Sequence, residues 1–120
     1  MTSQKRVLII EDDGILAMAL ESLLTNMGHV VVKAVATGED GIVAVKDAQP
    51  ELVLMDINLA GRMNGITAAE HIRSFSDIPI VYLTGHSEEA VVREAEKTKP
   101  HGFLLKPVLK KQLKTCLESL

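Results

Sequence analysis

Four short apolar runs in this chain each deliver a charged or hydroxyl residue at their C-terminal end. Val7-Leu8-Ile9-Ile10 runs into Glu11-Asp12-Asp13, and Leu52-Val53-Leu54-Met55 runs into Asp56. Ile80-Val81-Tyr82-Leu83 stops at Thr84, and Gly102-Phe103-Leu104-Leu105 stops at Lys106, which precedes Pro107. If the runs are parallel strands of one sheet, their polar ends share a single edge. That edge is where open α/β sheets hold their ligands. Clustered carboxylates, one hydroxyl and one lysine describe a place for a divalent cation and a phosphoryl group.

Strand-like runs begin near residues 6, 29, 52, 78 and 102, a spacing that suits repeated βα units. Helical periodicity fills the intervals. Leu16, Leu20, Leu23, Leu24 and Met27 make one face of a first helix, which Gly28 ends. Thr37 caps a second that reaches about Gln49, and Asn64 opens a third whose inward residues are Ile66, Ala69 and Ile72. Ser87 is expected to cap a fourth, with Glu88 and Glu89 in its first turn. Only Val91, Val92 and Ala95 can anchor that helix, so it should be held most loosely. A fifth runs from Leu109 to the C-terminus, with Leu109, Leu113, Cys116, Leu117 and Leu120 as its apolar stripe. The runs at Val7, Leu52 and Ile80 are apolar nearly throughout, as strands covered on both faces are. The alternation predicts a doubly wound parallel sheet.

At 120 residues and 47% hydrophobic content, the expectation is one globular domain over residues 1–120. No apolar run approaches the roughly 18 residues of a membrane span. The N-terminus leads directly into a strand-like run without a signal-peptide pattern. A soluble cytoplasmic protein without a membrane partner is the reading. The net charge of -3 gives no sign of direct nucleic-acid binding. Cys116 stands alone, which excludes an internal disulfide, and its place in the stripe is that of a core thiol.

The carboxylates carry the chemistry. Two negative charges about 5 Å apart repel by roughly 3 kcal/mol at an effective dielectric of 20. A cluster of Glu11, Asp12 and Asp56 therefore asks for a cation, and hard oxygen ligands on a small site favour Mg2+. Asp13 reads instead as a helix cap. Lys106 on the same edge is placed to hold an oxygen of a phosphoryl group carried by Asp56, and Thr84 to donate to another. His29, His71 and His101 have no metal-ligand spacing with one another. Lys106, Lys110, Lys111 and Lys114 read as a solvated basic face.

Taken in order, these segments resemble the receiver domain of two-component response regulators, across essentially the whole chain. The resemblance implies a (βα)5 fold with flavodoxin-like strand order 2-1-3-4-5. It implies that Asp56 accepts a phosphoryl group from the phosphohistidine of a histidine kinase or histidine phosphotransfer protein. Glu11 and Asp12 would be the acidic Mg2+ pair, joined by Asp56 and the main-chain carbonyl of Asn58. Thr84 and Lys106 match the signalling hydroxyl and the lysine, and Phe103 the switch aromatic. Lys106-Pro107 falls where the family carries a cis peptide bond. Phosphorylation would change the face made by the fourth helix, fifth strand and fifth helix, and so its affinity for an unknown output protein or domain. The chain would catalyse only its own phosphotransfer and slow dephosphorylation, with Asn58 and His86 beside the water path.

Two departures from the family pattern stand out. Gly65 falls nine residues after Asp56 rather than eight, and Ala60 stands where the pattern has proline. The loop should be longer and more mobile; its wording is similar to receivers associated with sensory histidine kinases. Lys97-Thr98-Lys99-Pro100-His101 replaces a segment of small residues, which should alter the output face and not the site. Other classes are weaker fits. A phosphatase with an aspartate nucleophile would carry an acid where this chain has Asn58. A flavodoxin-like mononucleotide binder needs Gly, Ser or Thr in its first loop, where Glu11-Asp12-Asp13 would repel phosphate. A purely structural interaction module would leave the site intact and unphosphorylated.

Overall fold

The computed structural model describes residues 3–85 and 89–120. Five strands alternate with five helices: β1 Arg6–Ile10, α1 Gly14–Asn26, β2 Val30–Val35, α2 Gly38–Ala48, β3 Leu52–Asp56, α3 Gly65–Arg73, β4 Ile80–Thr84, α4 Glu89–Glu96, β5 Gly102–Leu105 and α5 Lys110–Glu118. All strand pairs are parallel, in the order β2-β1-β3-β4-β5. This is the doubly wound parallel sheet that the alternation predicts, in the flavodoxin-like strand order that the resemblance implies.

The apolar runs explain the layering. β3 and β4 are buried at every residue, and β1 at all but Arg6, because helices cover both faces. Val7, Ile9, Leu52, Leu54, Val81 and Leu83 face α1 and α5, meeting Leu20, Leu24, Leu113 and Leu117. Leu8, Ile10, Val53, Met55, Ile80 and Tyr82 face the other way, against Ala44 and Val45 of α2, Ala68, Ala69 and Ile72 of α3, and Ala95 of α4. The alternation of side chains along each strand thus serves two cores from one sheet.

The helix starts follow from their caps. Asp13 accepts from the N–H groups of Ile15 and Leu16, Thr37 from Asp40, and Asn64 from Thr67, each satisfying donors that the first turn leaves unpaired. Gly28 takes a φ of +89° just past α1, a conformation that glycine adopts without steric cost. One expectation changes and one is extended. Leu109 is the residue before α5 and is 57% exposed, since the helix turns its stripe inward only from Leu113. Ile66 packs on the core as expected, though only half-buried, and Ala68 is buried there as well beside Ala69 and Ile72. The anchors expected of α4 hold in part: Ala95 is buried while Val91 and Val92 are half-buried. Ser87 and Glu88, expected at the start of that helix, and His86 lie outside the described residues.

Candidate functional site

Strand order reverses direction between β1 and β3, so the loops after these neighbouring strands diverge to opposite faces and leave a crevice at their carboxyl ends. Glu11 follows β1 and Asp56 ends β3; on the far side Thr84 ends β4 and Lys106 follows β5. The register brings Ile10 beside Met55, Asp56 beside Leu83 and Thr84 beside Leu105. The four polar strand ends of the sequence therefore do meet. Lys106 is further fixed by its main-chain N–H, which donates to the Thr84 carbonyl at 2.8 Å. The Lys106-Pro107 peptide bond is cis, as the resemblance implies.

The Lys106 ammonium stands between two acids, 3.0 Å from Glu11 Oε1 and 3.1 Å from Asp56 Oδ1. It belongs to this cluster and not to the basic face of Lys110, Lys111 and Lys114, which are exposed on α5. Asp56 Oδ1 also accepts the Asn58 N–H at 3.0 Å. Glu11 Oε2 accepts the Asp13 N–H at 3.1 Å, and Asp12 Oδ2 that of Ala60 at 3.0 Å. Glu11, Asp56 and Thr84 are buried, whereas Asp12 is exposed at the mouth of the crevice.

Burial, reinforced by the neighbouring Asp56, pushes the Glu11 carboxyl up to about 7. Lys106 is raised: burial opposes its charge, but the contacts with Glu11 and Asp56 outweigh that. Carboxylate oxygens of Glu11, Asp12 and Asp56 lie within 4.8 Å of one another. Glu11 Oε1 is buried and, among the described residues, has only the Lys106 ammonium beside it, at 3.0 Å. An oxygen-rich cluster with an under-satisfied carboxylate fits a hard divalent cation such as Mg2+. A neutral hydrogen-bond donor would leave the charge uncompensated.

The loop of residues 57–65 carries signals that motif reading missed. Its first half is anchored: Ile57 and Leu59 are buried, Asn58 bonds to Asp56, and Ala60 bonds to Asp12. Gly61, at φ +97°, turns the chain outward. Met63 returns against Gly38 of α2, and the Gly65 N–H closes the loop on the Ile57 carbonyl at 2.9 Å. The only sequence signal for the Ala60 bond is the absent proline, because proline has no N–H to donate.

Phe103, half-buried on β5, stacks on Tyr82 of β4 with ring centroids 5.6 Å apart. Segment 97–101 does more than alter an outer face. Thr98 is buried and meets the Tyr82 hydroxyl at 2.6 Å. Arg73, at the end of α3, donates to the carbonyls of Thr98, Ser76, Ile78 and Lys99. His29 is buried before β2 and accepts the Lys5 N–H, while His101 contacts Ser119. Cys116 is half-buried, and burial raises its thiol above the usual range, in keeping with a packing role.

A doubly wound sheet with a carboxylate–lysine cluster at its reversal point defines an open α/β module with a charged crevice at the carboxyl ends of its strands. The family model described as the response regulator receiver domain matches residues 7–118, and the chain belongs to that family. Among curated proteins it is 34% identical over 102 residues to the transcriptional regulatory protein AfsQ1 of Streptomyces coelicolor, covering 85% of this chain and 44% of that one. It is 34% identical over 103 residues to the transcriptional regulatory protein PdtaR of Mycobacterium tuberculosis, covering 86% and 50%. The chain thus spans about half the length of these relatives. Among solved structures, the signal receiver domain of a modulated diguanylate cyclase from Desulfovibrio desulfuricans superimposes with a TM-score of 0.91 at 28% identity, covering 98% of this chain and 93% of that one. Receiver domains are signalling modules of two-component systems. No helix among the described residues is long and apolar enough to cross a membrane.

Proposed function

We propose that this chain, over residues 1–120, is a cytoplasmic phosphorylation switch whose phosphoacceptor is Asp56. The observation that carries the reading is the setting of the Asp56 carboxylate. It is buried at a strand end, with Oδ1 held by the Lys106 ammonium at 3.1 Å and the Asn58 N–H at 3.0 Å, and with two further acids beside it. Such a carboxylate is held in one orientation with a fixed positive charge beside it, as positioning a nucleophile requires.

A carboxylate oxygen of Asp56 attacks the phosphorus of a phosphohistidine on a histidine kinase or histidine phosphotransfer protein. The P–O bond forms as the P–N bond breaks, and the imidazole leaves with the electron pair. Mg2+, held by Glu11, Asp12, Asp56 and the Asn58 main-chain carbonyl, would supply positive charge to the phosphoryl oxygens. Lys106 supplies a second, fixed positive charge that grows in value as the acceptor goes from one negative charge to about two. Thr84 is the hydroxyl that engages the new oxygens, and Phe103 takes up the space this opens. The face of α4, β5 and α5 then changes its affinity for an output protein or domain, a population shift driven by contacts made only in the phosphorylated state. Nothing in this reading requires the domain itself to touch nucleic acid or a membrane, or to turn over a separate substrate.

Intact mass measurement after incubation with acetyl phosphate and Mg2+ tests the assignment. One phosphoryl group should add to the wild-type chain, and none to Asp56→Asn or to wild type in chelator. Labelling of Asp56→Asn to the wild-type level would remove Asp56 from the role.

A further inference from the structure

Tyr82 is the one tyrosine of a chain with no tryptophan. It sits fully buried in a strand whose other core residues are Ile80, Val81 and Leu83, with its hydroxyl 2.6 Å from Thr98 Oγ1. The Thr98 hydroxyl proton goes to the Ala95 carbonyl at 2.6 Å. A hydroxyl has one proton, so the Tyr82 O–H is the donor in the first bond. Thr98 is gripped from the other side as well. Arg73 Nε donates to its carbonyl at 2.8 Å and Arg73 Nη2 to that of Lys99 at 3.1 Å. Ala95 is inaccessible to solvent.

The C-terminal end of α4 is thus tied to β4 and α3 by buried, satisfied groups. The first turn is different. Glu89 and Ala90 are exposed, and the Glu89–Arg93 ion pair at 3.2 Å lies in solvent, where such pairs add little. Among the described residues, buried hydrogen bonds hold the C-terminal end of the helix, whereas the first turn rests on the half-buried Val91 and Val92.

We propose that Tyr82 and Thr98 form a fixed pivot at the C-terminal end of α4. Loading of Asp56 then displaces the N-terminal turn of the helix and leaves residues 95–99 in place. This rests on the phosphoacceptor reading above. With a rise of about 1.5 Å per residue, α4 is a lever about 12 Å long. Phe103, stacked on Tyr82, changes place against a ring that stays still. Tyr82 and Thr98 are positioning residues: they touch neither phosphoryl group nor metal, and they set which part of the output face moves.

The test combines three readings on the same samples, with and without acetyl phosphate and Mg2+. Intact mass gives the phosphoryl occupancy, amide hydrogen exchange by fragment gives local opening, and tyrosine emission reports the phenol's hydrogen bond. In the phosphorylated wild type, exchange over residues 89–93 should change several-fold, exchange over 95–99 should stay within twofold, and emission should be unchanged. Tyr82→Phe keeps the ring and removes the peg. Its exchange over 95–99 should rise and should now respond to phosphorylation, and Thr98→Val should reproduce that response. A wild-type change over 95–99 or in emission overturns the pivot. So does a Tyr82→Phe protein that is merely looser at 95–99 while its phosphorylation response stays confined to 89–93. A wild-type chain that gains no phosphoryl mass rejects the phosphoacceptor reading itself, and the pivot with it.

Discussion

Ala60 donates its main-chain N–H to Asp12 Oδ2 at 3.0 Å, tying the loop after β3 to the acidic end of β1 across 48 residues of sequence. The proline of the receiver pattern could not make this bond. Asp12 is exposed, so without the tether its carboxylate would sample several rotamers before meeting a cation. Burial pushes its pKa up, but the Ala60 N–H and the neighbouring hydrogen bonds together outweigh that and hold the carboxyl below its ordinary value. Ala60→Pro should therefore weaken Mg2+ binding by roughly tenfold, the lower end of what lost orienting partners cost. Ala60→Gly keeps the N–H and should stay within about twofold. Titration calorimetry with Mg2+ reads both, and equal affinities would show that the tether does not orient Asp12.

Lys106 holds apart two acids that would otherwise face each other unshielded. Lys106→Met removes the charge, leaving Glu11 and Asp56 buried with no cation 3.0 and 3.1 Å away. Breaking a buried pair by removing one partner costs about 3 kcal/mol or more. The loss should appear in urea unfolding at pH 8 and shrink on adding Mg2+, because the metal restores positive charge to the same oxygens. On the proposed role of Lys106, phosphorylation by acetyl phosphate should slow at least tenfold, since the fixed charge beside Asp56 is gone. A variant as stable as wild type at pH 8 without metal would contradict this account of the cluster.

Glu11 gives the chain a pH dependence of stability. Its carboxyl is raised from 4.5 to about 7 in the folded protein, so between these values the folded state binds more protons than the unfolded. Stability from this group is therefore greatest in acid and falls as pH rises from about 4.5 through 7. Lys106 is also raised, but its contribution is lost only above its unfolded value of 10.5, outside this window. His29 runs the other way: burial and then the Lys5 charge lower it, so its contribution grows as pH rises toward its unfolded value. Comparing wild type with Glu11→Gln isolates the first effect. The difference in urea midpoint between pH 5 and pH 8 should favour acid more strongly in wild type. Saturating Mg2+, which selects the ionised carboxylate, should reduce that difference.

The parts of this structure that the sequence made legible are those with local causes. β1, β3 and β4 announce themselves because both faces are covered, and Asp13, Thr37 and Asn64 cap helices through donors two or three residues on. The site was legible because each polar residue ends an apolar run, so the sheet's geometry gathers them. What escaped has partners without a sequence signature. Arg73 is satisfied by four main-chain carbonyls, and any residue type carries a carbonyl. The Tyr82 and Thr98 hydroxyls meet only because α4 folds back over β4. Leu109 reads as one more apolar residue of a helical stripe, and only the start of α5 at Lys110 shows that it lies outside it.

Arg73→Lys tests the clamp at the base of α3. Lysine keeps the charge but cannot spread donors over the carbonyls of Ser76, Ile78, Thr98 and Lys99, which guanidinium geometry allows. Hydrogen bonds to a charged group contribute about 1.5–3 kcal/mol each when isolated, and these are partly shared with solvent. A loss of about 2–3 kcal/mol is expected in urea unfolding. Because the residue is remote from the acidic cluster, Mg2+ affinity should stay within about twofold. A fall in metal affinity as large as that of Ala60→Pro would mean that the two ends of the sheet are coupled.

Gly65 and Gly41 both meet crowded surroundings, and the identity of the neighbour separates their outcomes. A Cβ on Gly65 would collide with the Asp56 carbonyl oxygen and approach the Asp56 carbonyl carbon and Ile57 Cα, all main chain. None of these atoms can move without shifting the strand end that carries Asp56, the proposed acceptor. A Cβ on Gly41 would collide with Ile10 Cδ1, the far end of a side chain, which can rotate at some cost to packing. Overpacking a core costs about 1–3 kcal/mol. Gly65→Ala should fall at or beyond the upper end and also slow phosphorylation, because Asp56 is displaced. Gly41→Ala should fall nearer the lower end and leave the phosphorylation rate within about twofold. Urea midpoints and acetyl phosphate labelling rates, measured on both variants, decide the matter: the claim is that stability and labelling fail together only where the crowding atom belongs to the acceptor's own main chain. Equal labelling rates for the two would break that link.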